Sequence, residues 1–129
     1  MMSVLPAAVA VEFASALPGL SPYTAFALEP ISGAEGLFAL RSVDADVRLF
    51  LLDTATVDRG YAPRLPAGVR LEIGAADDEA LLLFVVANPS DDGVHVNLRA
   101  PIVIRPETGR AVQVILEDQD YPIRALLGQ

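Results

Sequence analysis

An all-β fold, a small antiparallel barrel-like sheet with at most short helical turns, is what this sequence predicts. Three observations carry that reading. Apolar residues come in short runs that alternate with period two or run continuously, as strands require. Turn chemistry recurs about every 8–12 residues, the spacing of a sandwich or barrel. Ten prolines and nine glycines are spread along the chain and work against long helices.

The first strand falls within Val4 to Phe13, where Val9, Val11 and Phe13 alternate and Pro6 breaks the run. Leu37 to Ser42 and Val47 to Asp53 follow, the second nearly continuous, as in a strand covered on both faces. Thr54 to Arg59 and Asp77-Asp78-Glu79 are the places for a single helical turn each. Val69, Leu71 and Ile73 alternate with Arg70 and Glu72, which reads as a half-buried strand. Leu81 to Ala87 is the most apolar strand, ended by the turn chemistry of Asn88 to Gly93. Val94, Val96 and Leu98 then face one way, and His95, Asn97 and Arg99 the other. Pro101 lacks an amide hydrogen and should interrupt pairing, at a bulge or a sheet edge. Ile102 to Ile104 resumes the strand, Pro106 to Gly109 turns, and Ala111 to Leu116 returns as a hairpin.

No repeat, linker or low-complexity tract divides residues 1–129, so one domain is expected. Cysteine is absent, which removes disulfides and thiolate metal sites. Seventeen acidic residues face nine basic ones, a formal charge of −8 that disfavours direct binding to nucleic acid or anionic lipid and favours basic partners. All nine basic residues are Arg, as a GC-rich genome with high Ala content would give. The first forty residues carry no Lys or Arg, unlike a secretory leader. The longest apolar run, Ala80 to Ala87, is far shorter than the roughly 20 residues of a membrane helix. A soluble, cytoplasmic protein without membrane contact is expected.

Catalytic patterns are hard to find. His95 is the one histidine and sits between two valines on a strand, which favours a structural or solvent-facing role. No serine stands in a nucleophile elbow, and a phosphate-binding loop of the Walker type lacks its lysine. Gly33 to Gly36 reads as a loop between strands. The carboxylate clusters at Asp44/Asp46, Asp77/Asp78/Glu79, Asp91/Asp92 and Glu117/Asp118/Asp120 lack calcium-loop spacing and read as solvated turns. Neither an enzyme, nor a cofactor site, nor a metal site is expected. Function by elimination lies in a surface.

The C-terminal third points to a family. Asn97-Leu98-Arg99-Ala100-Pro101-Ile102-Val103-Ile104 resembles the N-L-x-A-P-I-V-I segment of the flagellar assembly factor family FliW. Gln113 to Leu116, then Tyr121 and Arg124, resemble the Q-V-x-L and Y-x-x-R that follow it there. Upstream, Phe13 to Leu20 is similar to F-x-x-G-L-P-G-F, with Ala16 and Leu20 as departures. Leu40-Arg41-Ser42 with Leu49 to Asp53 is similar to an L-Q-S and a strand ending in Asp. Residues 54–68 depart most, without the aromatic-Pro run expected before Tyr61.

The resemblance implies a FliW-like β-barrel over residues 1–129, monomeric alone, with two protein partners. One is flagellin in the cytoplasm. The other is CsrA, a dimeric RNA-binding repressor of flagellin translation. Export of flagellin frees the factor to take CsrA, which releases the flagellin message. Candidate binding residues are Asn97, Ala100, Pro101, Ile102, Gln113, Tyr121 and Arg124. Ala100-Pro101-Ile102 could expose backbone groups at an edge or merely protect it, and Asn97 and Gln113 favour structural hydrogen bonds. Tyr121 and Arg124 are of the types enriched at hot spots, and Tyr121 equally suits the barrel's end. The competing classes are a small-ligand β-barrel, betrayed by a deep pocket with convergent polar groups, and a structural subunit.

Overall fold

The computed structural model describes residues 9–17, 19–56, 61–76 and 78–126. Among these, nine strands form one continuous sheet: β1 (Val9–Phe13), β2 (Ala25–Pro30), β3 (Leu37–Ser42), β4 (Arg48–Asp53), β5 (Leu82–Ser90), β6 (Gly93–Val96), β7 (Ile102–Ile104), β8 (Arg110–Gln113) and β9 (Ala125–Leu126). The hydrogen-bonded order is β4-β3-β2-β1-β8-β7-β5, and β5 pairs back onto β4. Seven strands therefore close a barrel, while β6 and β9 extend from β5 as a flap. The all-β, barrel-like expectation holds. Every seam is antiparallel except β1–β8, which is parallel and short, with Glu12 opposite Arg110 and Phe13 opposite Ala111.

Period-two alternation fills the barrel. Val11, Phe13, Phe26, Leu28, Leu40, Leu51, Phe84, Ile102, Ile104 and Ala111 turn inward and are buried together. Phe13 meets Phe26 edge to face at 5.5 Å, and Phe38 meets Phe84 likewise at 5.3 Å, the geometry ring quadrupoles favour. Strand β2 has no counterpart among the sequence expectations. Its Phe26 and Leu28 alternate with alanines, so the polar half of the period is missing from the pattern.

The outer faces divide. On β1, Ala10 and Glu12 lie exposed. Leu83, Val103, Val112 and Val114 are instead covered by the connection between β4 and β5, through Leu65, Val69, Ile73, Ala75 and Leu81. This explains the continuous apolar composition of β5 and β7, which are packed on both sides.

The connection also overturns one expectation. Val69, Leu71 and Ile73 lie not on a strand but on and just after a short helix, α1 (Gly68–Glu72). Val69 and Ile73 are four apart, share a helix face and are buried, whereas Leu71 is 85% exposed. On a strand the three would share one face. Five residues fit both periods, and Pro66, just before the helix, is the signal that favoured the helical one. Of the two expected helical turns, Thr54–Thr56 forms a 3-10 turn, with residues 57–60 outside the described set. Near the second, Glu79 N–H donates to Ala76 C=O in a turn without a helix, and Asp77 lies outside the described residues, as do Met1 to Ala8.

Asn88-Pro89-Ser90 does not end β5 as expected. The strand runs on because β6 takes up pairing at Ala87–Val96 and continues to Ser90–Gly93. Pro89 is tolerated because Asn97 N–H bonds Val86 C=O, which sets the ladder so that position 89 needs no donor toward β6. Its nitrogen faces the side where pairing with β4 has already stopped, at Phe50–Ala87.

Glu79 belongs to a solvated cluster by sequence, yet it anchors the α1 connection to the β7–β8 hairpin. Arg105 Nε donates to Glu79 Oε2 at 2.6 Å, both side chains about four-fifths buried, and Ala76 N–H donates to its other oxygen at 3.1 Å. The Arg105 hydrogen bond first, and the Ala76 amide second, hold the Glu79 pKa below the ordinary carboxylate value. A depressed native pKa stabilises the fold above the carboxylate range, and the contribution is lost as pH falls through the lowered value. Glu79→Gln is expected to lower the thermal midpoint near neutral pH, with the gap to the parent closing in acid. A gap independent of pH would contradict this ion pair.

Gly109 closes the parallel seam. Its φ is +79°, Glu12 N–H donates to its carbonyl at 2.9 Å, and a Cβ built on it would collide with Ala10 O. Gly109→Ala combines a left-handed strain of about 1–3 kcal/mol with that collision, and urea unfolding is expected to show at least this loss.

Candidate functional site: a groove at the barrel mouth

The ladder changes partners twice near one end of the barrel, and an open groove results. Strand β5 pairs with β7 up to Phe84–Ile102 and with β6 from Ala87–Val96. Residues Asn97 to Pro101 bridge the gap. Strand β1 leaves the β8 seam after Ala14, whose N–H donates to Ala111 C=O. Leu17 and Leu20 lie on the way from there, through the cis Ser21–Pro22 peptide, to β2. The space opened is ≈ 500 Å³. Leu17, Leu20, Leu49 and Val86 form an apolar floor continuous with the barrel core. Asn88, His95, Asn97, Gln113 and Arg124 give it a polar side, and Ile115 and Ile123 stand exposed at its mouth.

The candidate residues chosen from sequence fall in three places. Asn97, Ala100, Gln113 and Arg124 line the groove. Two of them also hold its wall: Gln113 Nε2 donates to Ala100 C=O at 3.2 Å, and Asn97 Oδ1 accepts from Arg99 N–H at 3.1 Å. Pro101 and Ile102 are buried beneath it, Ile102 completely, among the barrel core. Pro101 does interrupt pairing, but at an interior junction rather than a free edge, because its carbonyl accepts Val114 N–H at 2.9 Å. Tyr121 lies elsewhere, against Tyr61, with ring centroids 4.9 Å apart. Its carbonyl accepts Arg99 Nε, and the Tyr61 hydroxyl donates to Leu98 C=O at 2.7 Å. Burial, then the neighbouring Tyr121, pushes the Tyr61 pKa well above the ordinary tyrosine value, so its hydroxyl stays a donor.

Leu17, Leu20, Leu49, Val86, His95, Ile115 and Ile123 were not chosen from sequence. Period two could have found Val86 and Leu49, which share the inward face of Phe84 and Leu51. Leu17 and Leu20 carry no periodicity and needed the fold. His95 is 5% exposed rather than solvent-facing. Ser90 donates to Asp92 Oδ1 at 2.6 Å and lies 3.0 Å from His95 Nδ1, while Asp92 Oδ2 is 3.6 Å from Nε2. The Ser90 bond foremost holds the Asp92 pKa below the ordinary carboxylate value. Ser90 Oγ also lies 3.2 Å from Gly93 C=O, and the three side chains brace the β5–β6 turn. No cluster of three metal-ligating side chains exists among the described residues, and no described helix is long and apolar enough to cross a membrane.

The profile of the family described as "FliW protein" matches residues 2–127. This chain belongs to the FliW family. It is 33% identical over 121 residues to "Flagellar assembly factor FliW" of Thermotoga maritima, covering 91% of this chain and 81% of that one. The same name is carried by a relative in Syntrophotalea carbinolica, 34% identical over 117 residues and covering 88% and 83%. A third, in Symbiobacterium thermophilum, is 30% identical over 122 residues and covers 92% and 88%. "Crystal structure of the flagellar assembly factor FliW" superposes with a TM-score of 0.85 over 93% of this chain and 86% of that one. At 23% identity that likeness speaks for the fold: the barrel is the FliW barrel.

Separation of groove from core gives a stability test. Arg124→Ala is expected to change unfolding free energy by less than about 0.5 kcal/mol, as exposed positions do. Tyr121→Ala removes a packed ring and an edge-to-face pair, and is expected to cost about 2 kcal/mol. Equal midpoints for both variants would refute the placement of Tyr121.

Proposed function

We propose that this chain is a cytoplasmic flagellar assembly factor acting as one domain, monomeric alone. It binds CsrA, which lifts CsrA's repression of flagellin mRNA, and it binds flagellin in competition with CsrA. It acts by occupying protein surfaces and not by catalysis. The observation that carries this reading is the family match over residues 2–127, together with relatives at 30–34% identity that share the name flagellar assembly factor.

The geometry supports it. An apolar floor flanked by a few polar groups and an exposed Arg is the composition of a protein-binding centre, where apolar anchors and Arg dominate the energy. A standard interface takes about 800 Å² from each partner. That is about a tenth of the 7485 Å² of accessible surface, so two partners need not collide unless their sites overlap. The groove is the shared element proposed here. A charge of −8 suits a basic RNA-binding partner, and once docked it repels the phosphates that CsrA would otherwise hold. At ≈ 500 Å³ the groove also falls within the range of small-ligand pockets, about 300–1,000 Å³. Its open side argues against that reading, since such ligands are mostly enclosed.

In a gel-shift assay the protein is expected to release flagellin mRNA from CsrA while binding no RNA itself. In calorimetry, flagellin added to the preformed complex is expected to expel CsrA, and Arg124→Ala to weaken at least one complex by about 2 kcal/mol. RNA retained at saturating protein defeats CsrA antagonism, and a stable ternary complex defeats competition.

A further inference from the structure

We propose that Gln119 is a positioning residue for the groove. By clamping the backbone of Arg64, it lets the Tyr61–Arg64 segment, which lines no part of the groove, set where Ile123 and Arg124 stand at the rim. That the rim serves binding rests on the function proposed above; the clamp itself does not.

Gln119 is buried although both its neighbours, Asp118 and Asp120, are exposed. Its amide accounts for the burial. Arg64 N–H donates to Gln119 Oε1 at 2.8 Å, and Gln119 Nε2 donates to Arg64 C=O at 2.7 Å. One side chain thus takes both main-chain groups of one residue, as the facing residue of an antiparallel strand would. Residues 61–65 belong to no strand or helix, and among the described residues no main-chain group bonds theirs. Gln119 stands in for that missing ladder. Its bonds read main chain alone, so they form although residues 54–68 depart most from the family pattern.

Further contacts carry the hold toward the groove. Tyr61 packs edge to face on Tyr121 and donates its hydroxyl to Leu98 C=O at 2.7 Å. Arg99 Nε donates to Tyr121 C=O at 3.0 Å, and Leu98 N–H donates to Pro122 C=O at 3.1 Å. Gln119, Tyr121 and Pro122 are therefore each fixed, and the next two residues are the rim pair Ile123 and Arg124. On the far side the rim is tied only by β9, two residues paired with His95 and Val96 of β6. So short a strand holds little by pairing alone. The clamp supplies the rest, and it couples the connection over the outer face of β7 and β8 to the mouth of the barrel.

Amide hydrogen exchange on the whole protein tests this. Gln119→Met keeps the length of the side chain and loses both bonds, and the Arg64 amide is expected to exchange about tenfold faster or more. The Leu98 amide, bonded to Pro122 and not to Gln119, is expected to accelerate by a similar factor, while the Val114 amide in the barrel wall stays as in the parent. A Leu98 amide unchanged beside a faster Arg64 confines the clamp to its own segment and overturns the inference. Equal acceleration at Val114 marks a general loss of stability and overturns it as well, and so does unchanged exchange at all three amides. If the proposed function holds, Gln119→Met also weakens the CsrA or the flagellin complex by about threefold or more, although Gln119 lines no part of the groove. Exchange as expected with both affinities unmoved leaves the positioning standing and removes the groove as the shared binding surface.

Discussion

Strand β5 has to satisfy three neighbours, and the rest of the molecule is arranged around that demand. Its first third pairs with β7, its middle with β4, and its last third with β6. The β4 pairing closes the barrel, so no hydrophobic face is left at an open edge there. Handing over from β7 to β6 forces the chain out of the ladder between Val96 and Ile102, and Pro101, with no amide hydrogen to return, ends the β7 ladder while its carbonyl still accepts Val114 N–H. The groove is therefore a by-product of barrel closure: the wall lacks strands at the place where β5 changes partner and β1 departs.

The charge distribution follows the same division. Acidic residues occupy turns and exposed strand faces, whereas the mouth, built from inward positions of β4, β5 and β8, inherits the apolar character of the core. The net negative charge of the chain thus lies outside a groove whose described lining holds no acidic residue. Glu79 shows how sequence position misleads about such groups. Its neighbour Asp78 is exposed, while Glu79 is drawn into the Arg105 pair by the turn at Ala76.

Much of the fold could be read in the sequence where one period dominated. Leu37–Ser42 and Leu81–Ala87 declared themselves, the hairpin around Pro106–Gly109 did so through its turn residues, and of the Asn97–Ile104 segment singled out by resemblance Asn97 and Ala100 line the groove. Strand β2 escaped because alanine stands at its outward positions and blurs the alternation. The α1 segment was misread because i, i+2, i+4 spacing of Val69, Leu71 and Ile73 satisfies a strand, and only the exposure of Leu71 separates the two. Four candidate binding residues converge in space, but Ile102 and Tyr121 serve packing. A hydrophobic residue within a motif looks the same in sequence whether it faces a partner or the core. The groove floor, drawn from Leu17, Leu20, β4 and β5, joins residues that no local pattern connects.

The parallel seam between β1 and β8 joins residues about a hundred positions apart, from near the two ends of the chain. Contacts of that range carry a high loop-closure cost and come late in folding. On the ribosome the order is stricter, because β8 does not exist when β1 to β4 have emerged. The four-stranded meander can form at once, since each of its pairings is between consecutive strands. Phe26, Leu28, Leu40 and Leu51 then face solvent until β5, β7 and β8 arrive to cover them. At roughly 5–20 residues per second, that interval lasts several seconds. During it the nascent chain displays half a barrel with two unpaired edges, so its safe synthesis depends on how quickly translation delivers the second half.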